Sequence, residues 1–373
     1  MFDRRDLIRA ALCAPMLGAG PARAAQSSGN DDDIAQFIAE MPKAEYHVHL
    51  EGTLEPQMKF ALARRNGVTL PFADVAAMKR SYVFHDLPSF LAVYYDGFKV
   101  LVGEPDFYDL TFAYLRKAAS QNILYAEMFF DPQEHLKRGV RMEAMIGGIT
   151  RARVDAAARL GIQSQLILCF VRDMPTDTAM AALDAALPMK RYLVGVGLDS
   201  DEKGHPPIQF ADHFAKARAA GLKVTMHCDL NQDDTLRHIR QAIVDLAADR
   251  IDHGGNIVES PELMALARRR NLCFTVCPGF SGAVRGGGRT IDVVRAMLDK
   301  DLMVTINSDD PAYMGGEYLN EVLIKAQAHS LLTRAELVRI ERNAFRSAWL
   351  PEPRRNLLLA KLEIFALRRG VLA

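Results

Sequence analysis

The chain has 373 residues, 49% hydrophobic and 25% charged, with 46 Lys and Arg set against 46 Asp and Glu. Those proportions exclude disorder, collagen and coiled coil, and the length suits two average domains or one large α/β barrel. A formal net charge of zero leaves no electrostatic footprint for nucleic acid or an anionic membrane, and no stretch offers the roughly 20 apolar residues of a spanning helix.

In chain order, residues 1–24 read as a secretory signal. Arg4-Arg5 precedes a weakly hydrophobic run rich in Ala and Leu, which ends at Ala22-Arg23-Ala24, an A-x-A cleavage pattern. The paired arginines point to the twin-arginine route, which carries folded proteins and suits one whose metal is loaded before export. The expected location is periplasmic or secreted. Removing residues 1–24 takes away Arg4, Arg5, Arg9 and Arg23 together with Asp3 and Asp6, so the mature net charge becomes −2. Residues 25–34 read as a polar tether, and residues 35–373 as a single domain.

Eight apolar or β-branched runs follow: Ala44–Leu50, Ile123–Phe130, Gln163–Val171, Leu193–Leu198, Leu222–His227, Arg250–His253, Leu272–Cys277 and Leu302–Asn307. Between most of them lie segments with apolar residues at helical spacing, such as Thr235–Ala247 and Pro261–Arg270. Strand and helix alternating eight times predicts a (β/α)8 TIM barrel. The first connection, Glu55–Gln121, is too long for one helix and is expected to be a helical insertion over the barrel mouth. The glycine-rich stretch Val284–Arg289 reads as a loop, because no phosphate-cradling helix start follows it. Cys169, Cys228, Cys273 and Cys277 remain after the signal. Cys273 and Cys277 stand about 13 Å apart at strand rise, too far to bridge. Cys169, Cys273 and Cys277 are read as small core residues.

Chemistry-bearing residues collect at the strand ends. His47 and His49 alternate on the first run and so share a face. His227 ends the fifth run, His253 ends the sixth, and Ser308-Asp309-Asp310-Pro311 follows the eighth. In a barrel of this type the C-terminal strand ends form the active face, so three or four histidines and an aspartate converge there. Neutral imidazoles with a carboxylate suit a catalytic Zn²⁺, one per chain.

The strings HVHLEGT (residues 47–53), RIDHG (250–254) and SDDP (308–311) resemble the motifs of the adenosine/adenine deaminase family of zinc amidohydrolases. FFDPQ (129–133), VGLDS (196–200), GHPP (204–207) and TINSDDPAYMGG (305–316) are closest to its bacterial and fungal adenine deaminase branch. The resemblance runs from about Pro42 to the C-terminal region. It implies His47, His49, His227 and Asp309 as zinc ligands, and His253 as the residue orienting the attacking water. It places Asp310 on a purine ring nitrogen, with Ser200 and Glu51 as substrate contacts. The implied reaction is hydrolytic loss of the 6-amino group of adenine or adenosine as ammonia.

Two departures alter that pattern. The family's H-A-G-E becomes His227-Cys228-Asp229-Leu230, so leucine replaces the glutamate that handles protons, and His227 to His253 spans 26 residues. Asp229 is read as the partial replacement, with Asp233 as the next carboxylate. The family's C-P-x-S-N becomes CPGFSG (277–282), which rebuilds one pocket wall. Two other readings stay open: a zinc amidohydrolase acting on a different amino-heterocycle or amide, and a purine binder with reduced turnover.

Overall fold

Each of the eight runs forms a parallel strand position. β1 (Lys43–His49), β2 (Ile123–Phe130), β3 (Gln163–Val171), β4 (Gly195–Asp199) and β5 (Lys223–Val224) hydrogen-bond in that order. β6 (His227–Cys228), β7 (Arg250–His253), β8 (Cys273–Val276) and β9 (Met303–Ile306) continue the order. The computed structural model describes residues 33–228, 233–278 and 292–371. The expected signal, most of the tether, Asp229, Leu230 and the stretch Val284–Arg289 lie outside the described residues.

β5 and β6 are halves of one strand position, parted at Thr225 and Met226. Hydrogen bonding carries on through the break: the Thr225 amide donates to the Val196 carbonyl at 3.0 Å, and the Asp252 amide to the Met226 carbonyl at 2.9 Å. The last strand position meets the first through a parallel bridge between Val48 and Asp309. There the His49 amide donates to the Asp309 carbonyl and the Asp309 amide to the His47 carbonyl, both at 3.0 Å. The result is a (β/α)8 barrel. Every residue of β1 is buried, as parallel strands covered on both faces require.

The connection after β1 divides in two. Helix Leu87–Gly97 begins at Asp86, whose carboxylate caps the Ser89 amide at 2.8 Å, and turns Leu87, Phe90, Leu91 and Tyr94 to one face over the barrel mouth. Helix Glu104–Ser120 does not join this roof. It buries Phe107, Leu110 and Tyr114 in the main core and packs on helix Met142–Leu160, so it belongs to the outer helical layer. The close packing depends on Gly148, where an added Cβ would meet the Glu104 carbonyl oxygen at 2.3 Å. The expected roof is therefore shorter than the whole insertion. Spacing alone does not separate the two, because both helices are amphipathic.

The last two residues of the expected tether are helical. A helix over residues 33–40 buries Phe37 and Ile38, and Asp33 pairs with Arg334. The four cysteines among the described residues are buried and form no disulfide, in line with the reading of Cys169, Cys273 and Cys277 as core residues.

Candidate active site

Three strand ends near the centre of the barrel carry non-glycine residues in the left-handed region: Ser200 after β4 (φ 72°), His253 ending β7 (φ 61°) and Asp309 after β9 (φ 62°). Such backbone costs roughly 1–3 kcal/mol per residue and persists where surrounding structure imposes it, often at functional sites. Here it brings polar side chains to one point.

His47 and His49 project from the same face of β1 while Val48 faces the opposite way, as strand alternation requires. The His49 and His227 Nε2 atoms lie 3.2 Å apart, and the His47 and His49 Nε2 atoms each lie 3.4 Å from Asp309 Oδ1. Bonds of 2.0–2.1 Å to one tetrahedral ion place ligand atoms about 3.3 Å apart, so this spacing fits a single cation. His47 Nε2 and Asp309 Oδ2 are buried and have no hydrogen-bond partner, which marks a place for a charge they would share. The far nitrogens are already held. His227 Nδ1 lies 2.9 Å from the Leu198 carbonyl, and His47 Nδ1 lies 3.0 Å from Thr275 Oγ1 and 3.1 Å from its carbonyl. Those contacts fix the tautomers that leave Nε2 free to ligate. Thr275 and Thr225 in turn donate to the two oxygens of Asp252, at 2.7 and 2.6 Å.

Electrostatics agree with a cation site. Burial drives the His49 pKa down to about 3, and burial with neighbouring imidazoles drives His227 well below its ordinary value. Both rings are thus neutral and able to ligate. Burial opposes ionisation of Asp309, yet His47, His253 and His49 outweigh it and hold its pKa far below the usual carboxylate range. Three neutral-capable nitrogens and one anionic oxygen form a borderline donor set suited to zinc.

His253 stands beside this set, its Nε2 3.7 Å from Asp309 Oδ2. Asp310 and Ser200 line the adjoining cavity, as the sequence pattern implies, together with Asp131 and Asp199. Burial, then the neighbouring carboxylates, raises the pKa values of Asp131, Asp199 and Asp310 and so favours their neutral forms. Leu91 and Tyr94 close the cavity from the roof helix and leave a free volume of about 30 Å³, room for about one water.

Two residues singled out by the sequence pattern sit elsewhere. Glu51 is buried and is not among the residues that line the cavity: its Oε1 lies 2.9 Å from His135 Nε2 and accepts from the Asp131 amide at 3.3 Å, while its Oε2 has no hydrogen-bond partner. His135 Nδ1 in turn accepts from Arg138 at 2.6 Å, so Arg138 and His135 hold the Glu51 carboxylate in place. Asp233 is exposed on the surface and is not among the residues that line the cavity. Sequence reasoning assigned no role to Asp131 or Asp199. The only signal for them was their position at the ends of β2 and β4, within FFDPQ and GLDS.

The family model for adenosine deaminase matches residues 42–364. The chain is 52% identical to an uncharacterized deaminase of Schizosaccharomyces pombe, over 90% of this chain and 98% of that one. It is 44% identical to an adenine deaminase of Hahella chejuensis, over 88% and 98%. Among solved structures it resembles an adenine deaminase from Arthrobacter aurescens, with TM-score 0.83, 35% identity and coverage of 88% and 99%. It also resembles an amidohydrolase from Burkholderia ambifaria with bound Zn, with TM-score 0.81, 27% identity and coverage of 91% and 95%.

Proposed function

The chain belongs to the adenosine deaminase family, and on that premise we propose that it is a zinc-dependent aminohydrolase that replaces the 6-amino group of an adenine-type purine with oxygen. The convergence of His47, His49, His227 and Asp309 beside a small cavity lined by Asp131, Asp199 and Asp310 carries this reading. When bound, zinc lowers the pKa of a water to about 7 and supplies a nucleophile at neutral pH. Within this reading His253 holds that water by a hydrogen bond, and Asp310 meets the ring nitrogen beside the reacting carbon. One water is consumed and one ammonia released. Leu91 and Tyr94 exclude bulk water, which strengthens each charge interaction inside.

Asp229 takes part of the proton traffic that the family assigns to glutamate. Asp229→Asn keeps its size but not its exchangeable proton, and is expected to lower turnover about 10²–10⁴-fold with zinc still bound. Full activity in that variant would remove Asp229 from the mechanism. His253→Ala is expected to lose turnover more than metal; equal loss of both would make it a ligand or a structural residue.

A second reading, the same chemistry on another amino-heterocycle, is favoured by Leu230 standing where the resemblance to the family's H-A-G-E motif implies glutamate. Ammonia release from a panel of purines and pterins separates the two. Residues 1–24 are proposed to direct export by the twin-arginine route, with Arg4→Lys and Arg5→Lys together expected to retain the protein in the cytoplasm. Unchanged export of that double variant would refute this route.

A further inference from the structure

The seam that closes the barrel, where β9 meets β1, is built unlike the pairing beside it. β8 and β9 pair along their whole length, whereas β9 and β1 share, among the described residues, the single bridge between Val48 and Asp309. Side chains complete the rest. Asn307 Oδ1 accepts from the Tyr46 amide at 2.9 Å and from the His47 amide at 3.2 Å, at the point where the pairing of β1 with β2 shifts register. The Asn307 side-chain nitrogen donates to Thr305 Oγ1 at 3.1 Å, which keeps its oxygen turned toward β1. In the opposite direction Glu45 Oε1 accepts from the Ser308 amide at 3.1 Å and from the Ser308 hydroxyl at 2.5 Å. Glu45 Oε2 accepts from the Tyr114 hydroxyl at 2.7 Å, so helix Glu104–Ser120 holds the carboxylate from outside. Glu45, Tyr114, Asn307 and Ser308 are all buried.

We propose that Glu45 and Asn307 are positioning residues, a reciprocal clamp across the seam that sets Asp309 against His47. The proposal rests on the reading of His47 and Asp309 as ligands of one ion. Both clamped amides are next to that pair: one is the amide of His47 itself, the other belongs to Ser308, directly before Asp309. Asp309 takes a left-handed backbone, φ 62°, which a regular extended ladder does not allow. Side-chain acceptors let the chain leave the strand there without stranding a buried amide. The turn is gripped before Asp309 by Glu45, and after it by the bond from the Ala312 amide to the Gly52 carbonyl at 2.9 Å. The carboxylate of Asp309 is thereby held with Oδ1 3.4 Å from His47 Nε2. Neither Glu45 nor Asn307 lines the cavity, so each acts through the ligands and not on the substrate.

The test uses the full-length protein loaded with Zn²⁺ for affinity and with Co²⁺ for its visible absorption, whose bands report ligand geometry at the ion. Glu45→Leu and Asn307→Leu remove the acceptors at little change in bulk. Each is expected to shift the Co²⁺ bands and to weaken zinc about 10–100-fold in competition with a chelator. Glu45→Gln keeps an acceptor for the Ser308 amide and is expected to restore the bands, with zinc affinity within about threefold of wild type. Leu362→Ala, in the buried face of helix Glu352–Arg368, is a destabilised control away from the seam, expected to lower the thermal midpoint and leave bands and affinity unchanged. If a leucine variant does not fold, Ser308→Ala and Thr305→Val each remove one bond from the clamp and are expected to weaken zinc about two- to tenfold. Wild-type bands and affinity in the folded clamp variants, or the same losses in Leu362→Ala, would overturn the clamp. Wild-type protein that takes up no Co²⁺ or Zn²⁺ would refute the metal reading, and the clamp with it.

Discussion

Gly52→Ala probes how closely the loop after β1 must approach Asp310. A Cβ at position 52 would lie 2.1 Å from Asp310 Oδ1 and 2.8 Å from Asp310 Cα. Reaching an ordinary contact of 3.4 Å requires Oδ1 to move by about 1.3 Å and the Asp310 backbone by about 0.6 Å. A side-chain rotation alone does not suffice, because the Cα is also in the way. The displaced backbone is held by the bond from the Ala312 amide to the Gly52 carbonyl at 2.9 Å, and it continues directly from Asp309. A misplacement of about 1 Å at a reacting site costs on the order of 10² in rate, and overpacking costs about 1–3 kcal/mol of stability. Gly52→Ala is therefore expected to lose about 100-fold in kcat/KM for adenine while it remains folded. The assay is steady-state ammonia release, with zinc content and thermal midpoint measured on the same sample. A folded variant within threefold of wild type would show that Asp310 need not sit where the structure holds it.

Three other perturbations follow from the same geometry. Thr275→Val removes the hydroxyl 3.0 Å from His47 Nδ1 and should weaken zinc about 10–100-fold, read by competition with a chelator; unchanged affinity would leave that contact without a role. Glu127 accepts from Arg250 at 2.6 Å with both groups fully buried, so Glu127→Ala should cost about 3–5 kcal/mol in denaturant unfolding; a loss below 1 kcal/mol would contradict the isolated-charge argument. Burial holds the Lys59 pKa at about 7 against an ordinary 10.5, beside Tyr82 and with its ammonium 3.9 Å from the Tyr313 ring centre. Between those pKa values the unfolded chain keeps the proton that the folded chain has lost, so stability should rise with pH across that window by a few kcal/mol. Lys59→Met should abolish the rise; the same slope in both proteins would assign it to other groups.

The parts of the site legible in the sequence are those with a local signature. His47 and His49 declare a shared face because strand side chains alternate, His227 and His253 each end an apolar run, and Asp309 follows the last run. What stayed hidden depends on contacts between distant segments. Asp131 and Asp199 are single acidic residues until β2 and β4 place them side by side in one cavity. Glu51 reads as a substrate contact from HLEGT, yet His135, 84 positions along the chain, engages one oxygen of its carboxylate. The helices Leu87–Gly97 and Glu104–Ser120 carry similar amphipathic patterns; only Gly148 and the helix it belongs to assign the second to the outer layer.

On the proposed function, one zinc held by His47, His49, His227 and Asp309 enables hydrolysis of the 6-amino group of adenine. The most direct measurement strips the purified protein with a chelator, restores one equivalent of Zn²⁺ and follows adenine conversion to hypoxanthine with matched ammonia release, alongside His227→Ala. Turnover is expected to disappear on stripping and to return with about one zinc per chain, with neither activity nor tight zinc in His227→Ala. Adenine turnover by metal-free protein, or by His227→Ala at the wild-type rate, would contradict it.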